Sequence, residues 1–286
     1  MSGKIESLDI DEIIDNTVLR YVGNTPLINI KTPQYVSDKV EIYAKLEYLN
    51  PGGSVKDRPI LRMIKEAIKS GELTHDKAIL DSTSGNAGIA YSMIGAALGY
   101  EVDLVIPGNA SEERKRSIRA YGARIITTDP IKGYDEAIRK AHEMLEENPD
   151  KYYMPDQYAN KYNPIAHYET TGKEILEQTE GKVTHFVCGV GTGGTVMGVG
   201  RRLKEHNPDI KIYVIKPEDF PGIEGLKPMG SEYIKPKIYR EDFIEDQTFS
   251  ITSEEAKDTC CTLAKETGLF VGQSSGAFMK GALELA

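Results

Sequence analysis

The feature of this sequence that most restricts its fold is a repeated alternation of short apolar segments with longer amphipathic ones. The short segments predict strands at 40–47, 78–83, 103–107, 124–128, 185–190 and 211–215. The longer segments predict helices over 60–70, 86–98, 165–178 and 253–267. Three more helices are predicted: one that follows Ser111, one that ends near residue 146 and one that ends near residue 206. Strands that alternate with helices in this way favour an α/β fold with mainly parallel sheets.

Several of these helices carry further local signals. Residues 60–70 place Ile60, Met63, Ile64, Ala67 and Ile68 on one face, as an amphipathic helix requires. Residues 86–98 are almost wholly apolar, which predicts a buried helix. Thr252 with Glu255 predicts a capping box at the start of the helix over 253–267. Residues 218–248 contain several prolines and glycines and are predicted to be irregular.

Composition excludes several classes of protein. The formal net charge is -9, from Lys+Arg 35 against Asp+Glu 44, so we expect no nucleic-acid surface. No run of about 18 apolar residues occurs, and the polar N-terminus lacks the apolar core of a signal peptide, so we expect no membrane partner. The three cysteines form no C-x-x-C and the five histidines show no metal-binding spacing, so we expect a reducing cytoplasm and no bound metal.

Glycine-, serine- and threonine-rich turns lie at 50–58, 81–88 and 189–195, each where a strand gives way to a helix, and a fourth lies at 272–277. Ligands of open α/β sheets bind at the carboxyl ends of the strands, where such turns occur. The four turns therefore predict one composite binding site.

The turn at 189–195 reads Gly-Val-Gly-Thr-Gly-Gly-Thr. Consecutive backbone amides at the start of a helix bind anions, and glycine lets the anion approach closely, so this turn predicts a phosphate site. A tight strand-to-helix connection that needs glycine for its backbone is the structural alternative. The turn also matches G-x-G-x-x-G, with Glu218 and Asp219 downstream, so a nicotinamide cofactor remains open at this point.

The turn at 50–58 holds a lysine, Lys56, in the sequence Asn-Pro-Gly-Gly-Ser-Val-Lys-Asp-Arg. A lysine in a loop is usually a solvated surface group. A desolvated lysine has a lowered pKa and acts as a nucleophile and base, which is what bonding to a carbonyl cofactor requires. The turn at 81–88 offers hydroxyls and amides that could bind a carboxylate, or that could simply cap a helix.

Taken in order, GNTPL (23–27), NPGGSVKDR (50–58), TSGNAG (83–88), GVGTGGT (189–195) and SSGA (274–277) closely resemble the cysteine synthase / cystathionine β-synthase family. The resemblance extends from about residue 17 to the end of the chain. It implies the tryptophan synthase β-like fold type II of pyridoxal-phosphate (PLP) enzymes, with two domains built on mainly parallel twisted sheets. It places residues 1–49 and 161–286 in a larger PLP-binding domain. Residues 50–160 then form a smaller mobile domain that carries the substrate-carboxylate loop.

The resemblance also implies residue roles. Lys56 matches the catalytic lysine that bonds the cofactor as a Schiff base, and Ser274, ahead of Ser275, matches the serine at the pyridine nitrogen. A neutral serine there suits elimination and replacement at Cβ better than transamination. The other implied cofactor-binding residues are Asn86, Gly191, Thr192, Gly193, Gly194 and Thr195. The implied residues for the substrate carboxylate are Thr83, Ser84, Asn86 and Gln157.

The family further implies synthesis of L-cysteine from an activated serine and a sulfur donor, in a homodimer, with Lys56 moving the Cα proton. O-Acetylserine and O-phosphoserine both remain open as the first substrate. Lys227, in the segment 222–230, could meet the phosphate of the second ester, although a loop lysine is more often solvated. A cystathionine β-synthase, a serine/threonine dehydratase, a nicotinamide-dependent oxidoreductase and a non-catalytic binding protein also remain open.

Overall fold

The computed structural model of the chain describes residues 9–31, 39–83, 85–230, 233–240 and 246–286. It divides into two compact units, which are described separately. The first unit comprises Met1–Gly23 and Glu47–Tyr162, and the second comprises Asn24–Leu46 and Asn163–Ala286.

The strands in the described residues are β1 (Leu27–Asn29), β2 (Tyr43–Lys45), β3 (Ala78–Ser82), β4 (Val102–Pro107), β5 (Arg124–Thr128), β6 (Tyr152–Tyr153), β7 (His185–Gly189), β8 (Lys211–Pro217) and β9 (Gln247–Ile251). The α-helices there are α1 (Ile10–Asp15), α2 (Asp57–Ser70), α3 (Asn86–Leu98), α4 (Glu112–Ala120), α5 (Gly133–Glu147), α6 (Tyr162–Glu169), α7 (Thr171–Gln178), α8 (Gly194–His206), α9 (Ser253–Thr267) and α10 (Gln273–Leu285).

The first unit is a parallel sheet of order β5-β4-β3-β6 with helices packed against it. The apolar face of α2 is buried, and α3 is buried along most of its length, as its apolar sequence predicts. Ile10 and Leu19 pack into the same core as Ile64. That packing explains why the segment before residue 24 belongs to this unit. The predicted division into a larger domain of 1–49 and 161–286 and a smaller domain of 50–160 stays a prediction.

The second unit is a parallel sheet of order β7-β8-β9 together with the antiparallel pair β1-β2. Its largest core cluster is formed by α7, α8 and β8, including Val199, Leu203 and Ile212. The predicted capping box is present: the Thr252 side chain accepts from the Glu255 amide, and the Glu255 carboxylate accepts from the Thr252 amide. The predicted α/β class with mainly parallel sheets is confirmed.

Some predicted elements differ from those observed. The strand predicted over 40–47 is only β2, because residues 47–49 turn into a short 3₁₀ helix. The helix predicted over 165–178 is interrupted at Thr170, whose hydroxyl donates to the Ala166 carbonyl at 2.7 Å. Strand β9 begins inside the segment predicted to be irregular. Its carboxyl end alone is buried, so its apolar signal is weak.

The turns that follow β3 and β7 carry most of the predicted site residues. Residues 83–85 join β3 to α3, and residues 190–193 join β7 to α8. Both turns therefore lie at the carboxyl end of a parallel strand and at the N-terminus of a helix of 13 residues. Among the described residues, no helix has the length and hydropathy needed to cross a bilayer.

Candidate active site

The turn that carries Lys56 is fixed by buried polar contacts within the first unit. Gly53 has φ +82, a left-handed conformation that favours glycine. The Asn50 side chain, 3% exposed, accepts from the Gly23 amide at 2.8 Å and donates to the Glu47 carbonyl at 2.9 Å. Arg58 donates to both Glu47 carboxylate oxygens at 2.7 Å, a bidentate ion pair. These contacts hold the turn before and after the lysine.

Lys56 occupies the N-cap position of α2 and is half-buried. The next residue, Asp57, is fully buried and accepts the Gly52 amide at 2.5 Å. Burial raises the pKa of the Asp57 carboxyl to about 6. The lysine is thus neither a free surface group nor deep in the core, and its backbone is set by a rigid turn.

The loop after β3 is organised by Thr83, which is 2% exposed. Its hydroxyl accepts the amides of Gly85 and Gly88, each at 3.1 Å, and its own amide donates to the Val105 carbonyl at 3.0 Å. Thr83 therefore shapes the loop from inside. Asn86 is exposed and begins α3. Ser84, the third residue predicted for this loop, lies outside the described residues.

Arg114, which no motif of the sequence predicts as a site residue, lies beside this loop. Its guanidinium carbon and Nε are 3.3 Å from the position that a Cβ on Gly85 would occupy. Burial lowers the pKa of the guanidinium, while the neighbouring Glu113 acts in the opposite direction. A cation therefore stands against the loop predicted to bind a carboxylate. Its position on α4, 29 residues along the chain, gave no local signal.

Gln157, predicted to share the carboxylate, is buried and is connected to the same loop. Its Nε2 donates to the Ser82 carbonyl at 3.2 Å, and the Tyr134 hydroxyl donates to that carbonyl at 3.0 Å. Ser82 is the last residue of β3 and immediately precedes Thr83. The structure therefore brings Gln157 to the strand end from which the 83–88 loop starts.

In the second unit, the loop after β7 is closely packed around its glycines. Gly193 has φ +86, and a Cβ there would lie 2.7 Å from the Tyr239 Cβ. A Cβ on Gly191 would lie 2.8 Å from the Gly225 carbonyl oxygen, and one on Gly194 would overlap the Asn163 side chain. Side chains at these positions would displace the backbone, so the sequence uses glycine where the main chain is tightest.

The two threonines of this loop also make internal hydrogen bonds. The Thr192 hydroxyl accepts from Asn163 Nδ2 at 3.0 Å and from the Gly194 amide at 3.3 Å. The Thr195 hydroxyl lies 3.3 Å from His167 Nε2. The backbone amides at the start of α8 form a cradle with no side chain on Gly191, Gly193 or Gly194. Backbone amides at a helix N-terminus are groups that bind phosphate.

The predicted turn at 272–277 is mostly helical, because α10 already begins at Gln273. Ser274 thus lies in the first turn of a helix, half-buried, with its Oγ 3.5 Å from the position of a Cβ on Gly225. Gly225 in turn lies against Gly191. The structure therefore brings Ser274 and the glycine loop to opposite sides of one backbone segment.

Lys227 is only 6% exposed, so it is not a solvated loop cation, and its contact with substrate stays a prediction. Its amide donates to the Val190 carbonyl at 2.8 Å, and its Nζ lies 6.0 Å from the centre of the Tyr233 ring. An open cavity of about 500 Å³ adjoins this segment. Its lining includes Asp219, Pro221, Gly222, Ile223, Glu224, Leu226, Pro228, Tyr233, Ser253 and Gln273.

The described part of the chain holds no group of three or more His, Cys, Asp or Glu side chains placed to bind a metal ion. Cys188, Cys260 and Cys261 are free thiols. The residues predicted for the site offer amides, hydroxyls and a lysine, with the Arg114 guanidinium beside the 83–88 loop, and such groups suit an organic phosphate and a carboxylate.

The chain was compared with known protein families, proteins and structures. Residues 18–286 match the family described as "Pyridoxal-phosphate dependent enzyme". The chain belongs to this family of pyridoxal-phosphate dependent enzymes, and the predicted cofactor and fold type are confirmed.

The chain is 50% identical over 273 residues to a cysteine synthase of Aquifex aeolicus, covering 94% of this chain and 83% of that protein. A crystal structure of cysteine synthase from Entamoeba histolytica superposes with a TM-score of 0.86 at 37% identity, covering 94% and 82% of the two chains. An O-acetylserine dependent cystathionine β-synthase from Helicobacter pylori gives 0.86 at 36% identity, covering 94% and 89%.

Proposed function

We propose that the protein makes L-cysteine from O-acetylserine and a sulfide donor by replacing the substituent at Cβ of the amino acid. The observation that carries the proposal is the glycine cradle at the start of α8, because amides at a helix N-terminus bind phosphate and the loop occurs in a chain half identical to a cysteine synthase. Lys56 supplies the amine that this cofactor chemistry needs.

Each cofactor contact is assigned to a residue of this chain. The backbone amides of Gly191 to Thr195 would hold the phosphate of PLP, Asn86 its ring oxygen and Ser274 its ring nitrogen. Lys56 would bond its carbonyl carbon. PLP would supply an electron sink that acidifies Cα of the amino-acid substrate and favours loss of its β-substituent.

The remaining steps belong to the protein's own side chains. The 83–88 loop and Gln157 hold the substrate carboxylate, with the positive charge of Arg114 beside Gly85 favouring an anion there. With PLP and the amino acid bound, the Lys56 amine would remove the proton from Cα and later return it. The fixed turn around Lys56 limits the directions from which its Nζ can reach that carbon.

O-Acetylserine is favoured over O-phosphoserine by the segment around Lys227. The lysine is buried beside Tyr233, where its ammonium group has limited freedom to meet a phosphate. The nearby cavity carries two carboxylates, Asp219 and Glu224, both on exposed residues. Like charges across such a surface disfavour a doubly anionic leaving group.

The test is the absorption spectrum of the PLP-loaded enzyme during addition of each ester, together with cysteine formation from sulfide. We expect O-acetylserine to change the cofactor band and yield cysteine, and O-phosphoserine to do neither in wild type or Lys227→Ala. If wild type turns over O-phosphoserine and Lys227→Ala does not, O-phosphoserine and not O-acetylserine is the first substrate.

A cystathionine β-synthase is the second candidate, because one structural neighbour is described as an O-acetylserine dependent enzyme of that kind. The first half of the reaction is then the same, and a larger thiol replaces sulfide. Product analysis with sulfide and homocysteine supplied together decides between them. We expect cysteine as the main product, whereas a dominant thioether would favour the second candidate.

We further propose that the first unit acts as the smaller, mobile domain and that the enzyme is a homodimer of the cytoplasm that acts on small molecules. Three free thiols, one buried, suit a reducing compartment. Sedimentation of the holoenzyme tests the assembly, since the monomer mass is 31.7 kDa.

A further inference from the structure

A buried carboxylate that the proposed reaction does not use lies at the end of β3. Asp81 is 3% exposed, and its Oδ1 accepts the Ser82 amide at 2.7 Å. Its Oδ2 accepts a hydrogen bond from the hydroxyl of Tyr91, which is fully buried on α3. The 83–88 loop connects these two elements. The Asp81–Tyr91 contact thus closes the loop from the strand before it to the helix after it.

The adjoining peptide fixes the other half of the carboxylate site. The carbonyl of Ser82, the residue bonded to Asp81, accepts both Tyr134 and Gln157. A shift of this strand end would move Gln157 and the start of the loop together. The polar contacts of Asp81 and Ser82 therefore determine the relative positions of the groups assigned to the substrate carboxylate.

The surroundings of Asp81 make its charge sensitive to conditions. Burial, the largest effect, raises the pKa of its carboxyl to about 7, and the carboxylate of Asp156 acts in the same direction. The bonds from Tyr91 and Ser82 act against this. Three phenols also interact with Asp81, on α5, on β6 and in the segment before α6: Tyr134, Tyr153 and Tyr158.

We propose that Asp81 and Tyr91 are positioning residues, which hold the 83–88 loop and Gln157 in the arrangement that binds the carboxylate of the amino-acid substrate. This inference rests on the proposed function, because it assigns the pair a role in that binding. Ionised Asp81 accepts two hydrogen bonds at once. Protonated Asp81 carries a proton that itself needs an acceptor, so the pair is held less firmly at low pH.

Tyr91→Phe is the primary test, because it removes one hydroxyl and keeps the ring in the core. Tyr100→Phe is the matched control, since it removes a phenol hydroxyl from the same core outside the 83–88 loop. We expect Tyr91→Phe to raise KM for O-acetylserine about tenfold at pH 7, to leave kcat within about twofold, and to leave the cofactor spectrum unchanged. Tyr100→Phe keeps the wild-type KM.

The pH profile separates positioning from simple core packing. In wild type, we expect KM to rise as pH falls through about 7. Loss of the Tyr91 donor moves that midpoint to higher pH, and Asp81→Asn gives a raised KM that does not vary across this range. Unchanged KM values and midpoints in Tyr91→Phe and Asp81→Asn would overturn the proposal.

Calorimetric binding of a non-reacting amino acid, such as L-alanine, to the PLP-loaded protein gives a readout independent of turnover. If O-acetylserine proves not to be the substrate but Tyr91→Phe still weakens this binding, the proposed function fails and the positioning role stands. If Tyr91→Phe does not fold, Asp81→Asn tests the same contact from the other side. Wild-type affinity in that variant would then overturn the proposal.

Discussion

Replacement of Gly193 by alanine tests the phosphate cradle most sharply. Alanine at φ +86 costs about 1–2 kcal/mol, because its Cβ crowds the following carbonyl. The same Cβ would lie 2.7 Å from the Tyr239 Cβ, an overlap that costs about 1–3 kcal/mol when a packed region must move. Together the two effects amount to about 2–5 kcal/mol.

The two ways in which the protein could respond give different readouts. If the loop relaxes in the apoprotein, PLP must restore the cradle, and its Kd rises by at least about thirtyfold. If the loop stays in place, the strain lowers the free energy of unfolding of the apoprotein by the same amount. Absorbance titration of the apoprotein with PLP measures the first quantity, and urea unfolding measures the second.

Gly268→Ala is the matched control. Gly268 ends α9 at φ +74, and a Cβ there would meet nothing within 4 Å. We expect it to lose about 1 kcal/mol of stability and to keep the wild-type affinity for PLP. Wild-type PLP affinity and unfolding in Gly193→Ala would refute the cradle assignment, and so would an equal loss of PLP affinity in Gly268→Ala.

Three further outcomes are expected. Because burial raises the pKa of Asp57 to about 6, its ionisation lowers the free energy of unfolding as pH rises from about 4 to 6. Urea unfolding of Asp57→Asn should show no such decrease, and an equal decrease in the variant would contradict the assignment to Asp57. Arg114→Gln should raise KM for O-acetylserine about tenfold with kcat little changed. Arg116→Gln, an exposed change on the same helix, should leave KM unchanged, and equal KM values in the two variants would exclude Arg114 from the site. Lys56→Ala should abolish turnover, and retained turnover would exclude Lys56 as the base. The free energy of unfolding of the apoprotein should change by less than about 1 kcal/mol, since the Lys56 side chain is half-buried.

Local sequence carried much of the fold and part of the candidate site. The glycine loop and the Lys56 turn are each one continuous segment, so a few neighbouring residues are enough to predict their chemistry. Helix α3 and strand β5 were predicted with the observed bounds, because each is a sharply bounded apolar or β-branched segment. The capping box of α9 depends on two residues three positions apart.

Contacts between residues that are far apart in the sequence could not be predicted from local patterns. Arg114 meets Gly85, and Asp81 meets Tyr91, only because helices fold back against the sheet. The burial of Lys227 depends on the packing of the whole segment around it. The Thr83 hydroxyl, whose contact with substrate stays a prediction, also accepts two amides of its own loop. In each case, tertiary packing decides what a polar side chain contacts.

The most direct test of the proposed chemistry is the covalent attachment of the cofactor. Borohydride treatment of the PLP-loaded protein, followed by proteolysis and mass spectrometry, identifies the lysine that is bonded to PLP. We predict one modified peptide, which contains Lys56, and no modified peptide from Lys56→Ala. Modification of a different lysine, or of none, would contradict the assignment of Lys56.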